Sequence, residues 1–456
     1  PIFGTGYSSL TLASDNDYLR ALGETGLTGF LSFALIFIFL GIYMKKIAFS
    51  IHDRLTSALI FGLAGGVVGL LVNAFMIDVF EASKVAEPLW ILLGIGAGGI
   101  ALHQKEKIDY KKELCSFFTS RVMQIIYLFL LVLIVFMPTI HNFFVADDFT
   151  WLKWADVATF QDLGRYFVDA GQFFYRPLDK VVVYFLYSFF GLEPQGYHMF
   201  TLLLHFLTAV GVLVLLNKIF KKKIWAFLGA CLFIVLPAHG ENIYWFSTIS
   251  PTLSALFIVW ALIAWISFRQ KVFLAYTLSL VLTILAYVSY EMTVVILPLL
   301  FVTDLVLLRV KKDRQLVFSY IPFVIITAFY FYVRWAAHTV AIGGDYSYNF
   351  SRLLPNFFGN LLGYIGLFIG GEYFLPVYTT LRTTLKANWL PIGIVLAGLV
   401  GVRAFLGFSQ RKQFLHMIKK ETNIPYFYGF LFTVAALLPF IGLGNISQRY
   451  FYLAAI

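Results

Sequence analysis

Long runs of apolar residues, each about the length a lipid-spanning helix needs, alternate with short polar breaks along almost the whole chain. A span takes roughly 20 mostly apolar residues. Segments 26–44, 57–77, 86–102, 122–138, 197–217, 224–238, 251–267, 272–289, 292–308, 316–333, 390–408 and 424–442 meet that need. Their middles carry almost no charge, so each can satisfy its backbone hydrogen bonds internally as a helix in lipid. The pattern predicts an all-α polytopic membrane protein of about 12 transmembrane helices. No repeat at solenoid spacing is visible. The charge-rich break 103–121 (HQKEKIDYKKELCSFFTSR) separates three amino-terminal spans from about nine in 122–456.

The basic residues orient these spans. Lys45, Lys46 and Arg54 flank one break, and Lys105, Lys107, Lys111, Lys112 and Arg121 fill the next. Lys218 with Lys221 to Lys223, Arg269 with Lys271, Arg309 with Lys311, Lys312 and Arg314, and Arg411 with Lys412, Lys419 and Lys420 follow. Short cytoplasmic loops carry such an excess, so 103–121 reads as a cytoplasmic linker and every other loop as extracytoplasmic. Counting 177–190 (PLDKVVVYFLYSFF) as a span would put the Lys218–Lys223 cluster outside. That segment is short and begins with Arg176, Asp179 and Lys180, which predicts an interfacial helix on the outer surface. The same parity makes 353–375 an outer interfacial or re-entrant helix.

Composition sharpens the picture. Of 456 residues, 60% are hydrophobic, 19% aromatic and only 13% charged, with mean hydropathy +0.83. Soluble chains are nearer half apolar and a quarter charged, which excludes a soluble enzyme, a disordered chain, a collagen-like repeat and a disulfide scaffold. The net charge of +10 resides in loops that positive-inside bias explains, so no nucleic-acid partner is implied. Cys115 and Cys231 lie far apart without metal-type spacing. The chain begins at Pro1 and stops at Ile456 just after a motif-like stretch, and it reads as a fragment at both ends.

With that topology the remaining polar residues gather in outer loops: Asp147 and Asp148 (FFVADDFTWLKW), Tyr175-Arg176-Pro177, His239 and Glu241 (LPAHGENIYWFS), Tyr290-Glu291 (SYEMTVV) and Gln448-Arg449-Tyr450 (ISQRYFYL). Charged and titratable groups at helix ends on one face suggest a site at the interface, whereas a transporter favours the midplane. Two adjoining carboxylates near a low-dielectric boundary cannot ionise independently, so one is poised as a base or a metal ligand; the plainer reading is a solvated helix start with Asp148 capping 149–154. His239 and Glu241 could bind a phosphate or orient an acceptor, or simply line a wet loop. Glu291 opens an apolar segment, where an acid also stabilises a helix N-terminus. Arg449 could clamp a lipid-linked phosphate through its planar fork or sit among headgroups. Asp304, beside Arg309, reads as structural, and His205 as a packing histidine.

The order ADD, then YRPL…VVYFLYSFFGLEPQGYHMFTLLLHFLTA, LPAHGENIYW, SYEMTVVILPLLFVTDLVL and SQRYFYL resembles the GT-C polytopic glycosyltransferases over about 122–456. The branch it looks most like is the O-mannosyltransferases that carry tetratricopeptide repeats in eukaryotes. The resemblance implies sugar transfer from a polyprenyl-phosphate donor at the extracytoplasmic face. It places the base at Asp147 with Asp148 beside it. Donor and acceptor contacts fall to Arg176, to the histidine-and-glutamate loop at His239 and Glu241, to Glu291, and to Arg449 and Tyr450. Several positions depart from the family pattern. Leu236 replaces a usual histidine, Tyr290 a lysine and Gln448 an acid. An arginine and an aspartate expected near Ile249 and Pro251 are missing, and no tetratricopeptide repeat is present.

Residues 1–102 resemble something different, the last part of an O-antigen ligase or polymerase. A glycine-rich turn leads into Asp15 at that family's histidine position, then Asn16, Asp17, Tyr18, Glu24, Gly26 and Gly29. A glycine turn, an outer amphipathic helix and glycines for close helix packing account for the same residues.

These readings combine into a membrane glycosyltransferase, in a bacterial or archaeal cytoplasmic membrane with its site facing outside. Asp147 takes a proton from an acceptor hydroxyl on protein Ser/Thr or glycan, and the lipid-phosphate sugar is attacked with inversion. No cofactor is fixed by the residues. Arg449, or a divalent metal (Mg or Mn) held partly by a carboxylate, could balance charge on the departing phosphate. The alternatives are an oligosaccharide ligase or polymerase activity from 1–102 and a lipid or solute transporter.

Overall fold

The computed structural model describes residues 16–48, 51, 53–80, 83–103, 109–171, 173–220, 222–310, 314–339, 348, 353–387 and 423–456; the predicted segment 390–408 lies outside them. Among the described residues the fold is helical without a strand, apart from one isolated bridge between Tyr348 and Leu443. Among the described residues seven helical segments are long and apolar enough to cross a membrane. They are built on α1 (Asp17–Ala48), α2 (Arg54–Asn73), α5 (Arg121–Phe136) continued by its 3-10 turn to His141, α9 (Pro194–Ile219), α12 (Ile249–Arg269) with the turn from Phe246 that precedes it, α15 (Arg314–Ala336) and α18 (Ile424–Ile441). The protein is an all-helical polytopic membrane protein.

Among the described residues the expected 12 spans are not reached, and several predicted spans are short or broken. α10 (Lys223–Val235) joins a second piece, Pro237–Tyr244, across a 51° bend and makes an eighth span only if the bent pair is taken as one. α13 (Leu274–Ser289) has 16 residues. The segment 292–308 is broken into a 3-10 turn, α14 (Ile296–Val302) and a π-helical turn, Thr303–Leu307. α3 (Ser83–His103) covers 86–102 without joining the seven.

The two segments expected at the interface are both helical. α8 (Pro177–Phe190) has 14 residues, about 21 Å at 1.5 Å per residue and too short to span. It buries Asp179, Lys180, Val183 and Leu186 against α6 (Asp148–Val157), α13 and α9. An apolar face resting only on lipid does not describe it. The other, 353–375, forms α16 (Leu353–Gly370), then a 3-10 turn running into α17 (Leu375–Ala387).

The chain divides into two compact units, 1–124 and 125–456. In the first, α1 to α3 are followed by α4 (Tyr110–Phe118), a short helix inside the predicted linker. α1 starts where Asp17 anchors the α2–α3 connection: its carboxylate accepts from Val79 N (2.8 Å) and Phe80 N (3.1 Å). Gly26 kinks α1 with φ 71°, a left-handed conformation that favours glycine. Its role is that bend, where close helix packing was expected.

In the second unit α12 is the central post, with 83% of its apolar stretch buried. Every chain break that matters for the site lies around its first turns. α5 ends in a 3-10 turn and an extended strand-like stretch, Asn142–Val145, before α6. Pro237 stops α10, and α11 (Gly240–Tyr244) leads into α12. Gly371, at φ +55°, lets the turn after α16 approach Pro237 so closely that an added Cβ would stand 2.7 Å from it.

Candidate functional site

Two arginine–carboxylate pairs form beside the start of α12. Arg176 precedes Pro177, which occupies the first helical position of α8 without wasting an N–H. Its guanidinium grips Glu291 with two bonds, Nε to Oε2 at 2.8 Å and Nη2 to Oε1 at 2.6 Å. Its third arm, Nη1, donates to Ser250 Oγ at 3.1 Å, and Ser250 Oγ donates onward to Asp179 Oδ2. The Phe174 and Tyr290 rings lie 4.5 and 4.8 Å from the guanidinium carbon. The aromatic face of Tyr290 attracts Arg176 where a cationic side chain would repel it. Burial alone would raise the Glu291 pKa, but the Arg176 charge and hydrogen bonds outweigh it and hold Glu291 below the usual carboxylate range.

The second pair is looser. Glu241 Oε2 accepts from Ser447 Oγ (2.6 Å) and Arg449 N (3.1 Å), while Oε1 stands 3.6 Å from Arg449 Nη1. The Arg449 guanidinium carbon lies 5.6 Å from the Trp245 ring centre and 5.4 Å from that of Tyr450. Gln448 is buried, and its Oε1 accepts from Glu241 N at 3.1 Å. An acid at this position would set a second negative charge beside Glu241; the amide makes the bond without that repulsion. A ring stack links the pairs. Tyr450 lies on Phe440 with centroids 4.5 Å apart, and Phe440 stacks on Tyr290 at 6.4 Å.

The neighbouring aspartates separate. Asp148 is buried, and its Oδ1 accepts from Ser247 N (2.7 Å) and Ser247 Oγ. Its Oδ2 accepts from Val145 N at 2.9 Å. The carboxylate reaches back and across, tying the loop after α5 to the turn before α12, so it does not cap 149–154. Asp147 is exposed and makes no side-chain cap bond. The loop before it, from Asn142 to Val145, lines a groove of about 520 Å³ together with Tyr244 and Trp245. Trp245 Nε1 donates to Val145 O (3.2 Å) across that wall, and its ring faces Arg449.

His239 does not face the groove. It is fully buried, with its ring centre 4.6 Å from Tyr452 and 5.5 Å from His205. Leu236 is a core residue whose carbonyl accepts from His239 N at 3.0 Å. His205 bonds Tyr452 Oη through Nδ1 at 2.6 Å. Asp304 pairs with Arg269, in keeping with a structural role. Among the described residues no three His, Cys, Asp or Glu side chains come together as a metal-holding group.

In the first unit, Asp15 lies outside the described residues. Asn16 Oδ1 accepts from Tyr18 N and Leu19 N at 3.0 Å, and Tyr18 Oη donates to Leu71 O. Arg20 meets Glu24 and Asp78 at 3.4 and 3.0 Å. All of these brace the start of α1.

Sequence reasoning missed Asp179, Ser250, Ser247 and Ser447, which connect the candidates to one another, and Lys180. The Lys180 ammonium is buried, donates to Ala170 O at 3.1 Å and lies 4.8 and 5.1 Å from the Trp154 and Tyr166 rings. Burial, only partly offset by Asp169, lowers its pKa. An Asp-Lys pair inside an otherwise apolar helix was the available signal, since such groups are rarely buried without partners. Fold and site thus define a helical membrane protein with an arginine-bearing polar cluster where its helices break. No protein-family model, no curated protein and no solved structure matches this chain.

Proposed function

We propose that the protein is a membrane glycosyltransferase of GT-C type that moves a sugar from a polyprenyl phosphate to a hydroxyl acceptor at the extracytoplasmic face. The observation that carries this reading is the groove itself. The exposed carboxylate Asp147 follows two residues after Val145 of the groove wall, and the partly exposed Arg449 guanidinium lies 5.6 Å from the ring of Trp245, which lines the same groove. A base and a cation at one opening are what transfer from a phosphate ester requires. The acceptor O–H gives its proton to Asp147 while its oxygen forms the new bond to the anomeric carbon. The bond from that carbon to the phosphate oxygen breaks, and the polyprenyl phosphate leaves with the electron pair. Arg449 faces the charge that develops there, the kind of preorganised electrostatic stabilisation that contributes most in a water-poor site. Asp148 acts through structure, holding the Asp147 turn against Ser247. The acceptor is a protein Ser/Thr or a glycan, the donor carrier lies in the bilayer, and α8 and α16 sit along the outer interface of a bacterial or archaeal cytoplasmic membrane.

Incubating the protein with a panel of polyprenyl-phosphate sugars and watching for transfer or hydrolysis is the direct test. Asp147→Asn keeps the shape and removes the base, so transfer should fall by about 10²–10⁴-fold with donor affinity little changed. Full activity in Asp147→Asn would move the base elsewhere, and no turnover of any donor would sink the reading.

A further inference from the structure

The Arg176 cluster contains two carboxyls and one guanidinium. Glu291 takes two of the guanidinium's arms directly, and Asp179 reaches the third only through Ser250. Asp179 is fully buried, and its Oδ1 has no hydrogen-bond partner. With both carboxyls ionised the cluster would hold an uncompensated buried charge, which burial opposes strongly.

We propose that Asp179 is a proton-carrying positioning residue. Protonated, it leaves Arg176 to Glu291 and keeps the cluster neutral; ionised, it competes through Ser250 for the same guanidinium and makes the cluster anionic. Burial pushes the Asp179 carboxyl up to about 7, against the Ser250 hydrogen bond and the Arg176 charge, with Glu291 adding to the rise. Asp179 stands in the first turn of α8, outside the candidate spans. The charged groups acting on it are Arg176 and Glu291. On the surrounding elements Lys153 of α6 is exposed, and the following groups are bonded to other partners. On α6, Asp148 bonds Ser247 and Asp156 bonds Tyr187; on α7 (Asp162–Arg165), Asp162 bonds Thr159 and Arg165 bonds Asp169. Lys180 sits on Ala170 O, His205 of α9 bonds Tyr452, and Tyr287 of α13 bonds Thr327. His198 of α9 is buried and feels the charge of Asp148.

The consequence for donor binding rests on the glycosyltransfer reading, because an anionic cluster beside the site repels a phosphate. The proton itself does not depend on that reading. The purified protein without donor should show an infrared signal of a protonated carboxyl at pH 6 that fades as pH rises through about 7, and Asp179→Asn should lack it. Ser250→Ala removes a bond that favours the charged form, so the signal should persist to higher pH. Linkage gives a second readout. The folded protein keeps this proton between the ordinary value of 3.8 and about 7, where the unfolded chain has lost it. Wild-type thermal stability should therefore fall as pH rises through that window, relative to Asp179→Asn, and level off above it. An infrared spectrum unchanged by Asp179→Asn, or parallel stability profiles, would overturn the inference and leave the transferase reading intact. Polyprenyl phosphate should bind the wild type roughly threefold to tenfold more weakly at pH 8 than at pH 6, the effect of one partly screened charge. Asp179→Asn should flatten that dependence. A pH dependence of binding that Asp179→Asn leaves unchanged would sever Asp179 from donor binding. If no donor panel yields transfer while the infrared signal stands, the functional reading fails alone.

Discussion

α12 carries a buried arginine–carboxylate cluster near each end, some 30 Å apart for a 21-residue helix, and the two differ in one respect. At its last turn, Asp304 Oδ1 accepts from Trp265 Nε1 (3.0 Å) and Arg269 Nε (3.2 Å), and Oδ2 from Arg269 Nη2 (2.7 Å) and Tyr320 Oη (2.8 Å). Arg269 also reaches Ser319 and lies over the Trp265 ring. Both carboxylate oxygens are occupied twice. Near the first turn, Asp179 Oδ1 has no partner, and Glu241 and Arg449 meet at 3.6 Å with about a fifth of each side chain exposed. A closed network holds helices together. An open one, beside a groove, retains the capacity to bind or to move a proton.

The largest effect should come from opening the closed end. Asp304→Ala leaves the Arg269 charge buried without its partner, which typically costs about 3–5 kcal/mol. Denaturation in detergent should report that loss, with polyprenyl-phosphate binding unchanged in the protein that remains folded. A neutral outcome would remove the contrast between the two ends.

Asp148 falls between the extremes, because it is closed yet belongs to the open end. Asp148→Ala strands Ser247 N and Val145 N, and an unsatisfied buried donor costs about 1–3 kcal/mol. The same change should impair transfer through the displaced Asp147 turn, while Asp148→Asn, which keeps one acceptor oxygen and turns an N–H toward the other donor, should recover only part of the stability. Equal losses in both variants would show that a single retained acceptor does not hold the turn.

Much of the architecture is legible in the sequence because lipid imposes a length and an apolar composition on every span. α1, α2, α5, α9, α12, α15 and α18 all fall on predicted segments. Helix breaks are less legible. The apolar run 292–308 gives no warning of the π-helical turn at Thr303–Leu307, which depends on packing and on the Asp304 network. Partner identity is hidden more deeply. Arg309 is five residues from Asp304 and Arg269 thirty-five, yet helix packing brings the distant one into contact. Arg176 and Glu291 stand out as charges at helix starts, but their pairing across 115 residues does not. Ser250 and Asp179 pass as ordinary helix-start residues until the fold sets one against the other. His239 shows the opposite error, since a histidine in an outer loop reads as accessible and proves buried among Phe233, His205 and Tyr452.

The smallest effect should come from the open pair. Glu241→Gln retains an oxygen for Ser447 Oγ and Arg449 N and removes only the charge facing Arg449 Nη1. A partly exposed pair at that separation contributes about 0–1 kcal/mol, so the denaturation midpoint should scarcely move. The guanidinium, relieved of its counter-charge, should then bind polyprenyl phosphate at least as tightly as in the wild type, whereas Arg449→Gln should weaken binding at equal stability. If Glu241→Gln instead destabilises the protein as much as Asp304→Ala, the Glu241–Arg449 pair is a second closed strut. The role of meeting a phosphate would then pass from Arg449, and the cation would have to be sought at Arg176.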